Sequence, residues 1–380
     1  MHARPIATLA ALFAFASQAA AEITKAPAAR TKHGVRLETY AKGLVHPWGM
    51  AFLPDGRLIV TERPGRLRLI GKDGKVSPPL ANVPAVVAGR QGGLLDVALS
   101  PDFASSSLVY ISYAELREDG GSATTVARAR LVSAGDSARL DDLKVIFRQQ
   151  PSALGLQHFG SRLAFAPDGN LFVALGERYQ PAKAQDLGSH YGKVVRIRPD
   201  GTVPPDNPFA GKAGARPEIW SYGHRNVQAA AIHPASGKLW TVEHGARGGD
   251  EVNIPLRGRN YGWPVITYGV DYTGLRIGEG TAKAGMEQPV YYWDPSIAPS
   301  GMAFYTGSLF PEWKGSLFVG ALRARALHRL ILDGERIVGE EVLLGDLGER
   351  IRDVRSGPDG GLWLLTDSAD GRVLRLVPAG

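Results

Sequence analysis

Six times along this chain a small apolar lead runs into a proline-led turn and out again into a β-rich run. The copies are AFLPDGRLIVTER (51–63), ALSPDFASSSLVYISY (98–113), AFAPDGNLFVALGER (164–178), AIHPASGKLWTVEHG (231–245), SLFPEWKGSLFVGAL (308–322) and VRSGPDGGLWLLTD (354–367). Proline presets one backbone angle of a turn, and in three copies Asp-Gly closes it, so each copy reads as strand–turn–strand. The turn residues Pro54, Pro101, Pro167, Pro234, Pro311 and Pro358 are spaced by 47 to 77 residues, an irregular repeat with no long amphipathic helix between copies. A unit that cannot bury its own faces must stack on its copies. The pattern therefore predicts an all-β fold, a six-bladed β-propeller. A sandwich with chance hairpins is the alternative, but sandwiches rarely repeat one hairpin six times.

The first residues, MHARPIATLAALFAFASQAAAE, combine Arg4, an apolar stretch from Ile6 to Ala16 and small residues Ala19, Ala20 and Ala21. That is the layout of a secretory signal with an A-x-A cleavage site, too short in its apolar part to span a bilayer. The expectation is a signal peptide over 1–21, one catalytic propeller over 22–380, a periplasmic location and no stable membrane insertion. The chain has no cysteine, so an exported protein of this kind draws its stability from core burial and not from disulfides. A net charge of +7 suits an anionic ligand, yet no block of five or six basic residues points to nucleic acid.

The blade ends carry the chemistry. In LGLQHFGSRLAFAPDGNLFVALGER (154–178) His158 precedes one strand of a hairpin and Glu177 follows the other. A hairpin brings its outer ends together, which pairs a base with a carboxylate that can orient it. A buried histidine bonded to backbone is the plainer reading. Arg225, Arg323, Arg350 and Arg352 fall at the same end of three different repeats, where convergent guanidiniums would grip several carboxylates or phosphates. Each one alone reads equally well as a tie between blades. HGARGGDE (244–251) is rich in oxygen donors suited to a hard cation, without matching the twelve-residue calcium loop. No H-E-x-x-H, G-x-S-x-G, P-loop or G-x-G-x-x-G motif occurs.

The stretches HFGSRLAFAPDGNLFVALGE, WSYGHRN, EHGARGGDE, GRNYGWP and RIRDVRSGPDG resemble the soluble pyrroloquinoline quinone (PQQ)-dependent aldose sugar dehydrogenases, relatives of the soluble quinoprotein glucose dehydrogenases. The likeness runs from LVHPWGM to the C-terminus. It implies a six-bladed propeller that binds PQQ and Ca²⁺ and oxidises an aldose sugar at C1 to an aldonolactone, passing electrons to an external acceptor, as a monomer or dimer.

Residue by residue, the resemblance makes His158 the base, and Glu177 its orienting acid where the glucose dehydrogenases have Asp. Gln91 would lie near cofactor and sugar, with Arg225 and Asn226 at the quinone. Arg350, Ile351 and Arg352 would face cofactor carboxylates, and Ala321, Leu322 and Arg323 would line the same pocket. Tyr272 is matched to an aromatic contact. The carbonyls of Gly245 and Ala246 are implied as ligands of a catalytic Ca²⁺, and Glu251 and Tyr261 as ligands of a second one. Two positions depart from the family pattern: Ala246 stands where Pro is usual, and Arg323 where Lys is usual. Whether Trp293 faces the sugar is open. The rival readings are a non-enzymatic propeller that binds a glycan or protein, and a Ca²⁺-dependent propeller lactonase.

Overall fold

The computed structural model describes residues 26–32, 34–134 and 137–379; the expected signal peptide over 1–21 lies outside them. Six antiparallel sheets form the six blades. Their inner strands are Pro47–Phe52, Leu94–Leu99, Gly160–Phe165, Asn226–Ile232, Pro299–Phe304 and Ile351–Ser356. Each packs against the inner strand of the blades on either side, closing a ring around a central axis. The second strands are Leu58–Glu62, Leu108–Leu116, Leu171–Leu175, Leu239–His244, Leu317–Ala321 and Leu362–Thr366. The six proline-led turns fall between the first and second strands of the six blades, so the repeat seen in the sequence is the inner hairpin of each blade.

The second strands are rich in Leu, Val, Phe and Trp because both of their faces are covered by neighbouring blades. The outermost strands differ. Arg336–Leu343 alternates exposed and buried side chains, as a half-solvated edge strand does. Five blades have four strands and blade 1, over Pro47–Ile70, has three. The sixth is completed from the far end of the chain: Val35–Leu44 pairs antiparallel with Gly371–Pro378. The hydrophobic core is divided accordingly into clusters between consecutive blades, such as Ile59, Leu94, Val109 and Ile111 between the first two.

At mid-depth the axis is filled by charge. Arg162, fully buried, donates to Asp96 at 2.9 Å and pairs with Asp353 at 3.0 Å, while its guanidinium stacks 4.2 Å from the Trp48 ring. Breaking such a buried pair by removing one partner is far costlier than the pair's net worth. Below it, the mouth at the turn end is lined by apolar strand ends, among them Met50, Val97, Ala164 and Ala303. Above it lies the polar end.

Candidate active site

The loops opposite the proline turns enclose a cavity of about 220 Å³. Its walls bring together Gln91, Leu322, Arg350 and Arg352 from the expected residues, with Trp48, Arg63, Arg90, Phe159, Gln228 and His244 in addition.

His158 enters from the segment just before the inner strand of blade 3, with a left-handed φ of 52°. Its peptide N–H donates to Gln91 Oε1 at 2.7 Å. Its carbonyl lies against Gly176, where an added Cβ would come within 2.0 Å, so only glycine lets the second strand pass. The strand ends therefore meet, and Nδ1–H of His158 donates to Glu177 Oε2 at 2.5 Å. That bond fixes the tautomer and leaves Nε2 as the basic nitrogen. Burial pushes the imidazole pKa down, and although the bond to Glu177 pulls it back up, the net position is below the ordinary value. The ring is thus neutral near pH 7 and can accept a proton.

Arg350 and Arg352 form a cationic wall on blade 6. Both guanidiniums donate to Asp367 Oδ2, at 3.2 and 2.8 Å, and His46 Nδ1 lies 3.3 Å from the other oxygen. Burial alone would raise the pKa of Asp367, but the charge and hydrogen bond of Arg352 hold it well below the usual carboxylate range. Arg352 Nε, Arg225 Nε and Asn226 Nδ2 are buried donors without an acceptor. A buried donor left unpaired costs about 1–3 kcal/mol, and acceptor oxygens of a bound ligand would relieve it.

The carbonyl-rich side is blade 4. Arg225 lies 5.2 Å from the Trp263 ring and donates through Nη1 to the carbonyls of Gly245 and His244. Gly245, Glu251 and Tyr261 line one small crevice there, and the half-buried His244 faces both this crevice and the main cavity. Burial pushes the His244 pKa down to about 3, and its Nε2–H donates to Pro299 O at 2.7 Å. The Tyr261 hydroxyl donates to Ile254 O and accepts from Leu256 N–H, and Glu251 accepts from Asn253. Ala246 packs with Ala184 and Trp263. Among the described residues no group of three or more His, Cys, Asp or Glu side chains could hold a metal, so a cation here would have to draw on carbonyls.

Residues 44–375 match the family model "Glucose / Sorbosone dehydrogenase". The chain belongs to this family. It is 48% identical over 347 residues to aldose sugar dehydrogenase YliI of Escherichia coli K12, covering 90% of this chain and 93% of that one. A crystal structure of a glucose dehydrogenase superposes with a TM-score of 0.88 at 55% identity, covering 91% of this chain and all of the other. The PQQ-bound form of aldose sugar dehydrogenase from Streptomyces coelicolor superposes with a TM-score of 0.76 at 33% identity, covering 92% and 99%. This chain is an oxidoreductase of the aldose and glucose dehydrogenase type.

Not every expected residue reaches the cavity of this glucose/sorbosone dehydrogenase family member. Tyr272 is 61% exposed, and Arg323 is exposed on the loop after Leu317–Ala321, its peptide N–H donating to Ile297 O. Ala321 and Ile351 are fully buried strand residues behind the lining. Trp293 is a core residue whose Nε1–H donates to Glu340, so it does not face the pocket. Sequence reasoning missed Asp367, Trp48, Arg63 and Arg90, but a signal for Asp367 existed in the repeat. The second strand ends on or near a carboxylate in five blades; Glu115 of blade 2 pairs outward with Thr125 and Arg148, and the other four are Glu62, Glu177, Glu243 and Asp367. Each of these four clasps the segment leading into its own blade's inner strand: Val45 N–H, His158, His224 with Arg225 N–H, and Arg350 with Arg352.

Proposed function

We propose that this protein oxidises aldose sugars at C1 to aldonolactones, with PQQ and Ca²⁺ as cofactors and His158 as general base. The observation that carries the reading is the cationic pocket: Arg350 and Arg352 on its wall, the buried unpaired donors of Arg352, Arg225 and Asn226 nearby, and a neutral histidine bonded to a carboxylate beside it. These residues fit a planar quinone with three carboxylates, and Arg350 and Arg352 would hold carboxylates there. The Gly245 carbonyl, which accepts from Arg225 in this structure, and Ala246 O would be the donors to a cation. Glu251 and Tyr261 border the same side and would support a second Ca²⁺.

When bound, PQQ with Ca²⁺ supplies a hydride acceptor whose carbonyl is polarised by a Lewis acid. The chain supplies the rest. His158 Nε2 takes the C1 hydroxyl proton as hydride leaves, and Glu177 holds the ring in the correct tautomer and stabilises the imidazolium that forms. Gln91, bonded to the His158 peptide, positions base and sugar together. Arg225 and Asn226 place donors where negative charge develops. The signal over 1–21 supports export to the periplasm, where an external acceptor takes the electrons; no described helix is long and apolar enough to cross a membrane.

The test is reconstitution. Purified protein treated with a chelator should be inactive with glucose and a redox dye, should recover with PQQ and Ca²⁺ together, and should not recover with NAD or FAD. Dye reduction independent of both additions would overturn the reading, and lactone hydrolysis without a dye would favour the lactonase.

A further inference from the structure

The charged side chains on the cavity wall are all cationic. Four guanidiniums line it, those of Arg63, Arg90, Arg350 and Arg352, and no carboxylate does. Asp367 stands behind Arg350 and Arg352 and offsets that pair. Arg63, just past the second strand of blade 1, adjoins blade 6, and its charge acts on Asp367 and Arg352; Arg90 stands in the loop between blades 1 and 2, next to Gln91, whose side chain binds the His158 peptide.

Arg90 is also held in place. It sits in a tight turn closed by Gly89 and Gly92, in a left-handed conformation with φ 47°, which a non-glycine residue adopts only at a cost. Arg63 Nη1 donates to the Arg90 carbonyl at 2.7 Å, and the next residue, Gln91, binds the His158 peptide. The turn thus fixes Arg90 relative to the base. Its side chain is exposed at the cavity, and among the described residues the guanidinium makes no ion pair.

Resting on the reading that His158 deprotonates the C1 hydroxyl of an aldose, we propose that Arg90, steadied by Arg63, is a specificity-determining residue that favours aldoses bearing an anionic group. A sugar with C1 at His158 extends about one ring length from it, so a carboxylate at C6 or a phosphate ester there can meet a guanidinium fixed beside Gln91. The guanidinium forks onto either anion, and nothing in the lining repels it. Neutral aldoses lack that contact.

The experiment uses protein loaded with PQQ and Ca²⁺ and compares D-glucose, D-glucuronate and D-glucose 6-phosphate by dye reduction, in wild type and Arg90→Gln, at low and high salt. An exposed charge pair gives up to about fivefold, mostly in KM. Both anionic sugars should therefore have the higher kcat/KM, and Arg90→Gln or high salt should pull the ratio to glucose toward one. Preference for glucuronate alone, or phosphate alone, tells which anion is the better fit. Calorimetric binding of methyl β-D-glucuronide against methyl β-D-glucoside, neither of which can be oxidised at C1, separates the two readings. If no aldose is oxidised, the proposed function falls while the glycoside titration still decides this one. Equal binding of the two glycosides, an unchanged ratio in Arg90→Gln, or a tenfold weaker PQQ half-saturation in that variant would overturn the assignment to substrate.

Discussion

Blades 3 and 4 contain the same device put to different ends. In each, a histidine ahead of the inner strand donates Nδ1–H to a glutamate nineteen residues later, at or just beyond the end of the second strand: His158 to Glu177 at 2.5 Å, His224 to Glu243 at 2.8 Å. What separates them is the far nitrogen. His224 Nε2 accepts from Ser221 Oγ at 2.8 Å, and its ring stacks 4.7 Å from Tyr261, so both nitrogens and one face are spent inside the fold. Among the described residues no hydrogen bond caps His158 Nε2, and its neighbours Phe159 and Gly160 line the cavity. A histidine–carboxylate pair is therefore not in itself a catalytic signature. Under the proposed function, the free nitrogen is what sets the base apart.

The largest expected effect breaks the comparison outright. His158→Gln should retain PQQ binding while losing about 10²–10⁴-fold in turnover, the usual worth of a placed general base. His224→Gln should instead lower the melting temperature, because it strands buried partners worth about 1–3 kcal/mol each. Measuring turnover and thermal unfolding on both variants checks this, and equal losses of turnover would erase the distinction.

Next come the arginines. Arg352→Ala or Arg350→Ala removes charged hydrogen bonds of about 1.5–3 kcal/mol, so PQQ half-saturation should rise roughly ten- to a hundredfold with a smaller fall in the plateau rate. Arg225→Ala, beside the blade 4 pair, should lower the plateau as well. Titration of apoprotein with PQQ reads both quantities.

A smaller effect concerns pH. Because burial holds the His158 pKa below the ordinary imidazole value, activity should persist below pH 6.5 and fall only as the ring gains its proton. Glu177 raises that pKa, so Glu177→Gln should move the acid limb of the rate profile to lower pH while lowering the plateau. A limb that moves upward would contradict the assigned roles. Smallest of all, Ser221→Ala uncaps His224 and should cost about 0.5–1.5 kcal/mol in stability, seen in denaturant unfolding, without creating a second base.

The contrast also explains what could be read from the sequence. The six inner hairpins were legible because a proline, followed in three of them by Asp-Gly, punctuates each one between β-rich runs, and the His158–Glu177 meeting follows from hairpin geometry alone. The outer strands carry no such punctuation, and the pairing of Val35–Leu44 with Gly371–Pro378 joins segments more than three hundred residues apart, which no local pattern records. Asp367, Arg63 and Arg90 escaped because each is one residue in a short loop, given meaning only by what the ring sets opposite it. Tyr272 and Arg323 were carried over from motif likeness, yet their exposure in long or tight loops was set by backbone paths outside the motifs.

The strand that closes the ring is synthesised first and used last. Val35–Leu44 leaves the ribosome before any blade exists and finds its partner only when Gly371–Pro378 has been made. Blades 1 to 5 can stack in the order of translation, but the sixth, which carries Arg350, Arg352 and Asp367, stays short of an edge until the two ends of the chain meet. The wall that carries Arg350 and Arg352 thus belongs to the one blade whose outer edge depends on both ends of the chain. A cut of a dozen residues behind Val35, remote from the site in sequence, would be felt there as a loosened hold on the cofactor.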